Sequence, residues 1–96
     1  MNAPLSFASR VSVPADVLVN VVGEESVLLN LKTERYFGLD GVGTRMWSAL
    51  TTSPSVQAAY EKLMEEYEVE AGRLRADLQA LIAQLSEQGL LEIHNE

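Results

Sequence analysis

The stretch Val17-Leu18-Val19-Asn20-Val21-Val22, Gly23-Glu24-Glu25, Ser26-Val27-Leu28-Leu29-Asn30-Leu31 decides the fold. Two apolar runs, the first strongly β-branched, flank a polar break that contains a glycine, and runs joined in this way pair as a β-hairpin. Lys32-Thr33-Glu34 is a second polar break. Behind it, Arg35-Tyr36-Phe37-Gly38-Leu39 has the length and aromatic content of a third short strand. The breaks are too short for the crossovers of a parallel sheet, so the three strands form an antiparallel meander.

The period then changes from two to 3.6. Asp40 is placed to accept from the free amides of a helix turn, and Val42, Met46, Trp47 and Leu50 recur at helical spacing, which predicts a first helix over 41–50. Ser53 and Pro54 suit the cap and first turn of a second helix, with Val56, Ala59, Tyr60, Leu63 and Tyr67 as its apolar stripe. Leu74, Leu78, Leu81, Ile82 and Leu85 predict a third helix over 71–88, ended by Gly89 in a left-handed conformation with Leu90 folded back toward Leu85. Leu91-Glu92-Ile93 can form a short terminal strand. Strands segregated from helices make an α+β fold, a three-stranded antiparallel sheet followed by three helices that cover one of its faces. The expected organisation is a flexible tail over 1–10 and a single domain over 11–96.

Composition removes much chemistry. The 96-residue chain has no cysteine, which excludes disulfides, thiolate metal sites and cysteine nucleophiles. Its only histidine, His94, reads as a solvated tail residue, so neither a zinc site nor a general base is expected. The net charge of −7 repels a phosphate backbone. No window is apolar enough to span a membrane, and the first ten residues lack the form of a secretory signal, so a soluble cytoplasmic protein is expected.

Glu65, Glu66, Glu68 and Glu70 form the densest carboxylate group, but their spacing is that of a solvated helix face and not of a calcium loop. Gly41-Val42-Gly43-Thr44 lacks the lysine and the glycine spacing of a phosphate loop. Asp77 lies beside the apolar stripe of the third helix, half-buried, either paired with Arg73 or serving as a polar anchor at the edge of a groove. Tyr36 and Phe37 are adjacent on a strand and point to opposite faces, so one of them needs a partner outside the core. A short edge strand with a surplus aromatic, near a long helix rich in apolar positions, is suited to accept an extended peptide.

The segments Val27-Leu28-Leu29-Asn30-Leu31, Arg35-Tyr36-Phe37-Gly38-Leu39-Asp40, Val42-Gly43 and Met46-Trp47 resemble those of the PqqD-like family of RiPP recognition elements. Ala76-Asp77-Leu78 and Gly89-Leu90-Leu91 extend the resemblance from Val17 to Ile93. It implies a topology related to winged helix-turn-helix domains, no catalytic activity and no cofactor. The leader of a ribosomally made precursor peptide would add as an antiparallel strand to the third strand and lie against the third helix. On this chain that assigns Arg35, Tyr36, Phe37, Gly38 and Leu39 on the strand, and Arg73, Leu74, Asp77, Leu78 and Leu81 on the helix. The Tyr-Phe-Gly-Leu-Asp strand and Gly-Thr-Arg-Met-Trp helix start look most like free-standing modules of lasso-peptide pathways, where the enzyme partner is a separate leader peptidase. The alternative is the pyrroloquinoline quinone pathway, in which the module serves a radical-SAM enzyme. A monomer is the family's default. The rival from another class is a winged-helix DNA-binding regulator reading through Arg73 and Arg75, which the acidic balance disfavours.

Overall fold

The computed structural model describes residues 7–94. In chain order the elements are β1 (Arg10–Ser12), β2 (Val17–Val22), β3 (Glu25–Asn30), β4 (Arg35–Leu39), α1 (Gly41–Thr52), α2 (Val56–Glu66), α3 (Ala71–Glu87) and β5 (Glu92–His94). The antiparallel sheet β2-β3-β4 and the three following helices match the expected α+β arrangement. β2 pairs with β3 through a two-residue loop in which Gly23 has φ +65°, the pattern of a type II′ hairpin turn.

Period-two alternation sorts the sheet's faces. Ser26, Leu28 and Asn30 of β3 point into the core, in register with Leu39, Phe37 and Arg35 of β4 and with Val21, Val19 and Val17 of β2. The other face carries Leu18, Val27 and Tyr36 to solvent. Phe37 turns inward and packs partly buried on the core, whereas Tyr36 is 77% exposed, so the two aromatics divide between the faces as the alternation requires. Leu28, Leu50, Leu63, Leu78, Ile82 and Leu85 form the fully buried centre.

The expected tail over 1–10 is corrected from residue 7 onward, residues 1–6 lying outside the described residues. Phe7 is 6% exposed, meets the Tyr60 ring edge-on with centroids 5.6 Å apart, and lies under the Arg75 guanidinium at 3.9 Å. The Val56 and Gln57 amides donate to the Ser9 and Phe7 carbonyls at 2.9 and 2.8 Å, and the Ala58 amide donates to Ser55 Oγ at 3.1 Å. These are the first three amides of α2, which have no partner within their own helix. The cap is therefore Ser55 and not Ser53, and Pro54 precedes the helix. β1 pairs antiparallel with β5, Arg10 opposite His94 and Ser12 opposite Glu92. His94 is correspondingly not a free tail residue, since its Nε2 lies 2.7 Å from Ser12 Oγ.

The ends of α1 and α3 follow the expected chemistry. Asp40 Oδ1 accepts from the Gly43 amide at 2.7 Å. Gly89 has φ +71°, its amide donates to the Ser86 carbonyl at 3.1 Å, and the Leu90 amide reaches the Leu85 carbonyl at 2.8 Å. That pair of bonds, with Leu90 and Leu85 both buried, is a Schellman ending. Among the described residues no helix is long and apolar enough to cross a membrane.

Candidate peptide-binding groove

β4 is the last strand of its sheet, so one of its edges carries main-chain donors and acceptors that no strand among the described residues takes up. Two links place this strand beside α3. At its start, Asn30, which pairs with Arg35, donates from Nδ2 to the Gly89 carbonyl at the end of α3, at 2.9 Å. At its far end the chain passes through Asp40 into α1, whose Val42 and Met46 share a cavity of about 100 Å³ with Arg73, Leu74 and Asp77 near the start of α3. The start of β4 is thus tied to the end of α3, and the segment that follows its last residue lies near the start of α3.

Asn30 is the hinge pin of this arrangement. Besides its bond to Gly89, its Oδ1 accepts from the Lys32 and Thr33 amides at 2.9 and 3.2 Å, which fixes the turn that delivers β4. Sequence reasoning passed over it. The available signal was a polar residue inside the apolar run Leu28-Leu29-Asn30-Leu31, immediately before a turn.

The ten residues assigned from sequence fall into distinct positions. Leu39, Leu74 and Leu78 are core residues, 5%, 3% and 0% exposed, and can offer a ligand no more than the floor under a groove. Phe37 and Leu81 are partly buried against that core and keep accessible surface. Arg35 ends the inward-facing row of β4 at the solvent. Tyr36 and Gly38 lie on the outward face. No atom lies within 4 Å of where a Cβ on Gly38 would stand, so the backbone is open to approach there. Arg73 and Asp77 are exposed and 3.9 Å apart, one turn of helix from each other, so Asp77 is not the half-buried group expected.

The electrostatics favour a peptide over a polyanion. Arg75 is stacked on Phe7, Arg73 is beside Asp77, and Arg45 donates from Nε to Glu66 Oε2 at 2.7 Å with a second bond from Nη2 to Oε1. The Arg45 guanidinium holds the Glu66 carboxyl below its ordinary range, and Glu66 raises Arg45 in return. Arg45, Arg73 and Arg75 are therefore engaged, which leaves α3 without the basic face of a DNA-reading helix.

Such a structure is a small winged-helix-like domain with an open edge strand along its longest helix. Residues 25–91, more than half of the chain, match the family described as coenzyme PQQ synthesis protein D (PqqD), and the chain belongs to that family. Among solved structures it is similar to TbiB1 in complex with the TbiA(beta) leader peptide, with 32% identity, TM-score 0.80 and coverage of 88% of this chain and 99% of that one. It is also similar to a lasso peptide synthetase B1 complexed with the leader peptide, with 25% identity, TM-score 0.75 and coverage of 88% and 98%. No protein of curated function matches the sequence significantly.

Proposed function

We propose that this chain is a non-catalytic cytoplasmic adaptor that binds the leader of a ribosomally made precursor peptide and hands it to a separate leader peptidase of a lasso-peptide pathway. The observation that carries the reading is the unpaired edge of β4 lying along α3, in a chain whose solved relatives hold leader peptides. The leader adds antiparallel to β4. Main-chain hydrogen bonds supply affinity, each worth about 0.5–1.5 kcal/mol net, while Phe37 and Leu81 receive alternate side chains and Arg73 and Asp77 line the rim. The adaptor acts as a monomer and accelerates processing by raising the local concentration of precursor at the enzyme. A second reading, a chaperone serving a radical-SAM enzyme, is favoured by the description of the matching family.

Calorimetric titration with the leader of the precursor encoded beside this chain, combined with backbone-amide mapping, tests the proposal. Tight binding that moves the amides of Tyr36 to Leu39 and of α3 is expected. A leader that leaves those amides unmoved sinks it. Co-purification with the neighbouring peptidase or with the neighbouring radical-SAM enzyme separates the two partner readings.

A further inference from the structure

A cleft of about 710 Å³, separate from the groove at β4, lies between the core-facing side of β2 and the flank of α1, lined by Val19, Val21, Trp47, Ser48, Thr51 and Tyr67 among others. Its origin lies in the sheet. Val17, Val19 and Val21 share the inner face with Asn30, Leu28 and Ser26 of β3, and those three partners are all buried. Only Val17 is buried on β2, whereas Val19 is 41% and Val21 60% exposed, because the helical layer covers one end of the strand and leaves the other open. Core-facing valines in water beside a wall of helix are an apolar slot that no side chain among the described residues fills.

The cleft adjoins the small cavity that holds Arg73 and Asp77, since Val42 and Tyr67 line both. That small cavity lies where β4 ends, and a peptide added to β4 has one flank leaving at that end. Under antiparallel addition this is the flank N-terminal to the paired segment. α1 rises roughly 15 Å between Gly41 and Thr51, enough to run beside about four or five extended residues. The lining carries Glu24 and Arg45, the latter already paired with Glu66, and the chain has a net charge of −7, which together disfavour an acidic occupant.

We infer that the cleft between β2 and α1 is a second subsite for the same precursor peptide, holding a neutral or basic flank with a bulky apolar side chain. This rests on the leader-binding reading and extends it to residues beyond the paired strand. Trp47, the only tryptophan of the chain, lines the cleft and reports on it independently of β4.

The test uses the full chain and two synthetic peptides, the complete leader of the adjoining precursor and the same leader cut back to the segment that pairs with β4. The complete leader is expected to bind at least about tenfold more tightly, the gain that burial of one bulky apolar side chain supplies. It is also expected to change Trp47 fluorescence and to shift the methyl signals of Val19 and Val21. The short peptide moves only the β4 amides. Val21→Glu on the strand wall, and independently Ser48→Trp on the helix wall, reduce the affinity of the complete leader to that of the short one and leave the short one unchanged. Equal affinities with β4 amides shifted and the cleft silent overturn the second subsite while the adaptor reading stands. Silence at β4 with both peptides overturns both. Cleft signals that respond to the purified peptidase and not to peptide assign the cleft to the enzyme and overturn the inference.

Discussion

Asn30→Ala is expected to cost about 3 kcal/mol of folding stability. The side chain is 6% exposed and makes three hydrogen bonds, donating to the Gly89 carbonyl at 2.9 Å and accepting from the Lys32 and Thr33 amides at 2.9 and 3.2 Å. At about 1 kcal/mol net for each bond the sum is about 3 kcal/mol. Asn30→Asp separates the two roles. It keeps the acceptor that shapes the turn, removes the donor that ties β4 to α3, and sets a carboxylate against a carbonyl, so a loss of about 2 kcal/mol is expected. Urea denaturation of both variants gives these differences as shifts in midpoint at unchanged slope. Leader affinity measured on the aspartate variant, above its stability limit, is expected to fall although every residue of the groove is retained, because the strand and helix are no longer locked at that end. An alanine variant within about 0.5 kcal/mol of the parent would refute the assignment of Asn30 as the link between turn and helix.

Gly89→Ala places a Cβ 3.1 Å from Asn30 Nδ2 at φ +71°, and a loss of about 1–2 kcal/mol is expected in thermal denaturation. Phe7→Ala removes a buried ring that contacts Tyr60 and Arg75, and a cost of about 3 kcal/mol in urea is expected. Glu66 has a carboxyl pKa lowered first by its hydrogen bond to Arg45, so the contribution of that pair is present above the unfolded-state pKa and is lost as pH falls through the folded-state value. Glu66→Gln is accordingly expected to differ from the parent near neutrality and to converge with it in acid, which urea midpoints at several pH values check. Tyr36→Ala, at an exposed site, is expected to stay within about 0.5 kcal/mol in stability while weakening leader binding up to about fivefold through a lost cross-strand contact, read by calorimetry.

What could be read from the sequence was what local pattern controls. The runs 17–22 and 35–39 are strands as bounded, because β-branched alternation and short polar breaks act over neighbouring residues. The Asp40 cap and the Gly89 ending are likewise decided within a few residues. The pairing of Arg10 with His94 was not visible, because a three-residue strand has no periodicity of its own and its partner lies at the other end of the chain. Phe7 was hidden for the same reason, and with it the start of α2, where carbonyls from the N-terminal segment overrule the proline at position 54. The sequence named the two elements of the candidate groove but could not sort their side chains. An apolar stripe on a helix looks the same whether a leucine closes the core, as Leu74 and Leu78 do, or remains accessible, as Leu81 does.

The β1–β5 pair has a consequence for engineering. Because Arg10 stands opposite His94, the first strand of the described residues is stitched to the last, three residues in from Phe7. A domain closed in this way can be spliced into a surface turn of a larger protein without prying that turn apart. It also tolerates circular permutation in principle: a short linker across the pair, with new ends cut at Gly23–Glu24, leaves β4 and α3 on one uninterrupted stretch of chain.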